Sequence, residues 1–364
     1  MQSSRKLKIV FLINYYGMYL NSFTRKHPQL KTLNYSDANA LMMSDFFGAY
    51  CSYSMELSSL GHDSQVIVPN FEIFQKKWAQ ENRYTYDKSN WLKDIATEQI
   101  KRLKPDVVFF GSNFELYDDD FLDQLKIYAK HLVAWTSCPI PRDVSHKKFD
   151  LVFTSLPYYV DLFRSQDINC ELIHAAFDPQ ILKYITQRKQ CNLSFIGGFS
   201  EAHHYRYEVV SHLVKEANMQ VFGYGLETSR FVKPIHFVPL IRKIKKPVFG
   251  IEMYQTLASS NINLNVHAEL AKDNSVNMRL FEATGSGTLL LTDYSDSLSV
   301  FFEDNKEVIT FRSKEEALDK ANYYLKNESL ATSIAQRGQQ RTLNHYNYQV
   351  TTKKILEHFT TYFK

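Results

Sequence analysis

The segment from Asn277 to Asp293, NMRLFEATGSGTLLLTD, constrains this chain most. It reads as a short helix, a glycine turn and a buried strand ending at Asp293. On a helix, Ser275, Arg279 and Glu282 share one face, while Val276, Leu280 and Ala283 share another. The apolar face suits packing on a sheet. The other offers a cation and a carboxylate about one turn apart, a combination that fits a ligand carrying phosphate and hydroxyl groups. An exposed Arg–Glu pair, worth a few tenths of a kcal/mol, is the plainer alternative.

The rest of the chain repeats this alternation. Buried strands are expected at 8–13, 65–69, 106–110, 131–135, 150–154 and 171–174. A helical region is expected over 38–60, with Gly61 as its C-cap, and further helices over 91–103 and from Pro157 to about Arg164. A second series follows, with strands at 191–196, 219–222, 262–267 and 289–291. Its helices are expected near 206–217, 250–259, 314–326 and 329–344, and an amphipathic helix closes the chain near 350–363. Strands alternating with helices predict parallel sheets covered on both faces. The 364 residues exceed one ordinary core and favour two domains. Two similar halves imply ligand binding in a cleft between them.

Charge and cysteine usage narrow the function classes. The net charge of +4 is mild, and no zinc-finger spacing or arginine-rich arm supports nucleic-acid binding. The run from Arg242 to Lys246 suits an anionic membrane surface or acidic ligand, although a solvated loop is the simpler expectation. Cys51, Cys138, Cys170 and Cys191 form no metal pattern and suit a reducing cytoplasm. No run approaches the length of a membrane span. The start of the chain lacks the apolar stretch of a secretion signal and runs directly into a strand.

The segment from Gly250 onward resembles the C-terminal half of bacterial GT-B glycosyltransferases, in particular the spore-maturation-type branch. The resemblance rests on Gly250–Tyr254, Leu264–His267 and Asn277–Asp293, and continues more weakly through Phe301 and Ser313–Glu316 into the closing helices. The N-terminal half follows the family mainly by element order. The resemblance implies an α/β fold made of a GT-B-like pair of Rossmann-type domains with an interdomain cleft. Residues 1–177 would bind the acceptor and 178–345 the nucleotide sugar. The terminal helix, 346–364, would pack back on the first domain.

It also implies that Glu282 contacts the donor ribose. The spacing of Glu282 to Gly285 is one residue shorter than in the family, and Asn274 stands where many retaining members have an acid. Stereochemistry therefore stays open. Arg279 is expected to hold a diphosphate through its donor fork. Ser275 would cap the helix, leaving amides aimed at the ligand. Gly197 and Gly198, after a strand, would let the backbone approach a phosphate, with Arg206 assisting or facing solvent. His267 would contact the donor or sit as a hydrogen-bonded core histidine. Gly285 and Gly287 would shape a turn.

On the acceptor side, Tyr15, Tyr16 and Trp135 are the expected sugar platform, with core packing as the alternative. The catalytic base is unassigned, and Asp45, Glu115, Asp143 and His27 are its candidates. Asp118–Asp120 reads as a helix start rather than a metal pair. The resulting expectation is a cytoplasmic transferase, acting free or at the inner membrane face. It would need no cofactor or metal and would move a sugar from a nucleoside diphosphate to a glycan or glycolipid hydroxyl. A noncatalytic nucleotide- or carbohydrate-binding protein of the same fold is the alternative.

Overall fold

The computed structural model describes residues 5–200, 203–226, 238, 240–267 and 276–363. The chain forms two compact units. The first comprises residues 1–173 with 352–364, and the second residues 174–351.

The first unit is built on a six-stranded, wholly parallel sheet in the order β2-β1-β3-β4-β5-β6. The strands are β1 Lys8–Leu12, β2 Asp63–Ile67, β3 Val107–Phe110, β4 His131–Trp135, β5 Leu151–Thr154 and β6 Cys170–Leu172. All four residues of β3 are buried, as expected where helices cover both faces. One helix, α1 Gly17–Lys26, follows β1 directly. The helical region expected over 38–60 is two helices, α2 Tyr35–Met43 and α3 Tyr50–Ser59. They are parted by left-handed backbone at Phe46 (φ 52°) and Gly48 (φ 74°), which no helix can continue through. Gly61 (φ 90°) closes α3: its N–H reaches Ser58 O, and the N–H of His62 reaches Leu57 O at 3.1 Å.

The second unit repeats the plan with the order β12-β11-β10-β7-β8-β9. Its strands are β7 Cys191–Gly198, β8 Gln220–Tyr224, β9 Ile244–Lys245, β10 Ser260–Asn265, β11 Leu289–Asp293 and β12 Ile309–Phe311. The basic run expected to be a loop supplies β9, an edge strand. Lys245 bonds Gln220 Oε1 at 2.7 Å and lies over the Phe222 ring. A lysine on a sheet edge discourages pairing with another chain. On one face of the sheet the core joins Phe195, Leu264, Leu291 and Ile309 to Val209 and Leu213 of the covering helix.

The glycines of the opening motif have packing reasons. A Cβ on Gly285 would lie 2.3 Å from Phe177 Cγ, and Gly287 has φ 75°. The final helix, Tyr348–Tyr362, begins in the second unit and ends in the first. There Tyr362 donates to Glu171 Oε1 at 2.6 Å, and Phe363 stacks on His131. Among the described residues, no helix is long and apolar enough to cross a membrane.

Gly285→Ala is expected to lower the unfolding free energy by about 1–3 kcal/mol, because the added methyl meets a buried ring. Thermal and urea melts of the variant measure it.

Candidate active site

In each sheet the chain reverses its winding direction once, and the crevice at the strand C-termini beside that reversal is where such folds bind ligands. In the second unit it lies between β7 and β10. Arg206, on α8 (His204–Ala217), closes it from within. Its Nε and Nη2 donate to Val266 O at 3.1 and 2.7 Å, and Nη1 donates to Gly198 O at 2.6 Å. Burial pushes the guanidinium down to about 10, so Arg206 remains charged at neutral pH. Its side chain is part-buried, with three donors committed to these two carbonyls. A Cβ on Gly198 would sit 2.9 Å from the Tyr224 ring, and one on Gly197 would sit 3.0 Å from the Phe195 ring. Both glycines thus have close-packing reasons. Burial raises the Tyr224 hydroxyl, while the charges of Arg279 and Arg206 pull it down.

The motif helix, α10, is Met278–Gly285. Its cap is Asn277, whose Oδ1 accepts from Leu280 N at 3.2 Å; Ser275, like Asn274, lies outside the described residues. Arg279 Nη1 lies 2.9 Å from Glu282 Oε2, with side chains 15% and 8% exposed. This is a buried pair, so the surface estimate does not apply. Arg279 also touches Met253 Sδ at 3.3 Å.

A chain of hydrogen bonds runs from the cap to the end of β11. Because Asn277 Oδ1 accepts from the helix, its Nδ2 donates, to Asn265 Oδ1 at 3.0 Å. Asn265 Nδ2 then faces Thr292 Oγ1 at 3.1 Å and His267 Nε2 at 3.3 Å. His267 Nε2 is therefore the acceptor, and Nδ1 carries the proton toward Asp293 Oδ1 at 2.7 Å. The backbone N–H of His267 also donates to Asp293, at 3.1 Å. Both ring nitrogens of His267 are thus engaged inside the protein. Burial raises the Asp293 carboxyl, but His267 and these hydrogen bonds outweigh it and hold it below its ordinary 3.8. Asn277, Asn265 and Asp293 were not singled out from sequence.

In the first unit the reversal lies between β1 and β3. Beyond these strands two asparagine side chains extend the ladder. Asn113 Oδ1 accepts from Asn14 N at 2.9 Å, and its Nδ2 donates to Asn14 O at 3.1 Å. Asn70 does the same for Tyr15, at 3.1 and 2.7 Å. Asn14 Nδ2 then donates to Glu115 Oε1 at 2.7 Å. Of the expected platform, Tyr15 is core: it is 7% exposed and packs edge-on against Tyr19 and Phe47. Tyr16 is 63% exposed. Trp135 is half-buried, and its carbonyl accepts from Ser112 Oγ at 2.9 Å.

Of the candidate bases, His27 follows the far end of α1, about 15 Å along the axis from Gly17. Burial pushes His27 down. The Asp45 charge helps push the Tyr19 hydroxyl up, Asp143 is exposed on the loop after β4, and Glu115 is bonded to Asn14. Asp118 caps α6 (Asp119–Lys126) through Phe121 N at 3.0 Å. Among the described residues, no group of three or more His, Cys, Asp or Glu side chains is placed to hold a metal.

Solved structures of the same architecture exist. A glycosyltransferase from Rickettsia africae ESF-5 superposes with a TM-score of 0.60 at 12% identity, over 99% of both chains. Anabaena HepE, solved in complex with UDP-glucose, gives 0.59 at 12% identity, over 98% of this chain and 100% of that one. A sucrose-phosphate synthase from Thermosynechococcus elongatus gives 0.59 at 8% identity, over 98% and 99%. The fold is GT-B. Residues 206–357 also match the family model described as glycosyl transferase-like. No curated protein matches the sequence. The GT-B match agrees with the paired Rossmann-type domains expected from the sequence.

Arg279→Ala would strand the Glu282 charge in a buried site. A loss of about 3 kcal/mol in stability is expected, and adding Glu282→Gln should recover most of it. Denaturant melts of the single and double variants measure this.

Asp293 gives a pH signature. Its folded-state ionisation lies below the unfolded value, so its stabilisation is full above that value and fades as pH falls through the folded one. Wild type should exceed Asp293→Asn in stability near neutral pH. The gap should close between about pH 5 and pH 2 in urea melts.

Proposed function

We propose that the protein is a glycosyltransferase moving a sugar from a nucleoside-diphosphate donor to a hydroxyl of a glycan or glycolipid. The observation that carries this reading is the buried Arg279–Glu282 pair on the motif helix, with the Arg206 guanidinium held at the end of β7, both in the second unit. Two cations suit a diphosphate, whose charge grows as the sugar departs. Glu282 is an acceptor for the ribose hydroxyls. His267, held by Asp293 and Asn265, fixes the strand end beside them. Ser275, Gly197 and Gly198 belong to the same proposed donor region, and Tyr16 and Trp135 border the acceptor region. Support also comes from Anabaena HepE, which is described with UDP-glucose.

In this reading residues 1–177 serve the acceptor, residues 178–345 serve the donor, and 346–364 form the closing helix. The spore-maturation-type branch, hexosyl transfer, a cytoplasmic location and peripheral membrane contact for a glycolipid acceptor are parts of the same proposal.

Calorimetric titration with UDP in the presence of a chelator tests the donor site. Binding is expected without added metal, because the cations come from the protein itself. Affinity that disappears in chelator and returns with magnesium would overturn that point. Glu282→Gln should weaken UDP and UDP-glucose binding by about tenfold, the loss of a charge-assisted hydrogen bond. Unchanged affinity in the folded variant would remove Glu282 from the donor site. Binding without sugar transfer or donor hydrolysis across broad donor and acceptor panels would favour a noncatalytic binding protein.

A further inference from the structure

The second unit carries a further cation at its strand ends, outside the proposed donor region. Tyr294 and Arg312 are the residues just past β11 and β12, and the parallel register sets them side by side. Tyr294 N–H donates to Phe311 O at 2.8 Å. The central carbon of the Arg312 guanidinium lies 3.4 Å from the centre of the Tyr294 ring. The ring is fixed at its far end, where its hydroxyl donates to Asp296 Oδ1 at 2.7 Å. The Arg312 backbone is fixed on both sides. Its N–H donates to Glu316 Oε2 at 2.7 Å, and its carbonyl accepts from the Tyr205 hydroxyl at 3.4 Å. Platform and stem are both set before any ligand arrives.

The Arg312 side chain is exposed, and among the described residues its donors meet no hydrogen-bond acceptor or ion-pair partner. Carboxylates are near, but each has another partner. Asp293 is engaged by His267 at 2.7 Å, Asp296 by Tyr294, and Glu316 by Lys320 at 2.7 Å and by the Arg312 N–H. Glu315 lies 3.9 Å from Lys314. The Glu316 carboxyl is held below its ordinary value first by Lys320, with Arg312 the smallest contributor. Stacking alone does not account for the open edge, because a guanidinium with a paired edge stacks equally well. A stacked guanidinium keeps its edge donors in one plane, the arrangement that matches two oxygens of a carboxylate or phosphate. The sheet order puts β12 beside β11 and β11 beside β10. Arg312 therefore starts about 10 Å across the strand ends from the end of β10.

We propose that Arg312, stacked on Tyr294, is a binding site for the carboxylate or phosphate of an acidic sugar, so that the glycan this protein handles is anionic. That the anion belongs to a sugar rests on the transferase reading above; the anion site itself does not. Arg312 holds the oxyanion edge-on through its donor fork, and Tyr294 fixes the plane of that fork. In the proposed donor region Arg279 takes the diphosphate, so the two anions are met by different cations.

The test is NMR titration of the protein amides with glucuronic acid, glucose 6-phosphate, neutral glucose and inorganic phosphate, without UDP and with UDP at saturation. An acidic sugar should bind at least about fivefold more tightly than glucose, and added salt should weaken that preference. In Arg312→Ala, whose exposed side chain leaves the fold intact in a thermal melt, the preference should fall to within about twofold. Arg312→Lys keeps the charge but not the planar fork, and should restore only part of it. An acid preference that survives Arg312→Ala, or that wild type lacks, overturns the site. Acid binding that UDP abolishes also overturns it, because the acid then occupied the donor region. Inorganic phosphate bound as tightly as glucose 6-phosphate overturns the assignment to a sugar. Protein that does not bind UDP sinks the donor reading, while the titrations without UDP still decide Arg312.

Discussion

A parallel strand that outruns its neighbours leaves backbone groups without a ladder, and buried groups of this kind must be paired. Both units meet this constraint where their sheets reverse direction. In the first, the amides of Asn113 and Asn70 continue the ladder past β1, each offering one donor and one acceptor as a peptide would. In the second, Arg206 takes the carbonyls of Gly198 and Val266, and Asp293 takes the N–H of His267. The strand ends that must be closed are also the ends where a ligand can approach. Sheet closure and site construction therefore draw on the same few side chains.

The two closures differ in charge. The first uses neutral amides and leads to a single carboxylate, Glu115. The second uses a buried guanidinium, a buried ion pair and a carboxylate held ionised by histidine. Burying charges is costly, and an apolar core of equal volume would often be at least as stable. Charged groups concentrated at one strand end suit an anionic ligand. Amides and one carboxylate suit a neutral, hydroxyl-bearing one. The proposed division into a donor side and an acceptor side draws on this asymmetry.

Most of the fold was legible because parallel strands are apolar runs and the helices between them carry a clear period. The break between α2 and α3 was not, because Phe46 takes a left-handed conformation that its side chain does not announce. The glycines of the motif were legible as turns. That Gly285 makes room for Phe177 depends on a residue more than a hundred positions away. Tyr15 and Tyr16 are adjacent and chemically identical, yet one is core and the other exposed; alternation at a strand end decides which, and that end was not fixed by pattern. Asn14, Asn70 and Asn113 carry no periodic signal. An asparagine after a strand reads as a turn residue, and only the sheet order brings three of them to one edge.

Arg206 shows the limit most plainly. Its position on a helix following a glycine pair suggested a ligand-facing cation or a solvent-facing one. The chain instead turns the guanidinium inward, where three of its donors meet two carbonyls and the ring of Phe195 lies beneath it. An arginine fixed in this way cannot swing out to grip a phosphate without breaking the strand ends it joins. In the proposed donor site its contribution to an anion is a fixed field rather than a direct contact, and the less fully committed fork of Arg279 is the proposed contacting group. A field from a locked charge loses nothing to rearrangement when ligand charge develops, whereas a mobile side chain must first be ordered. On this proposed division Arg206 sets the potential at the strand ends, and Arg279 is the residue proposed to read the ligand.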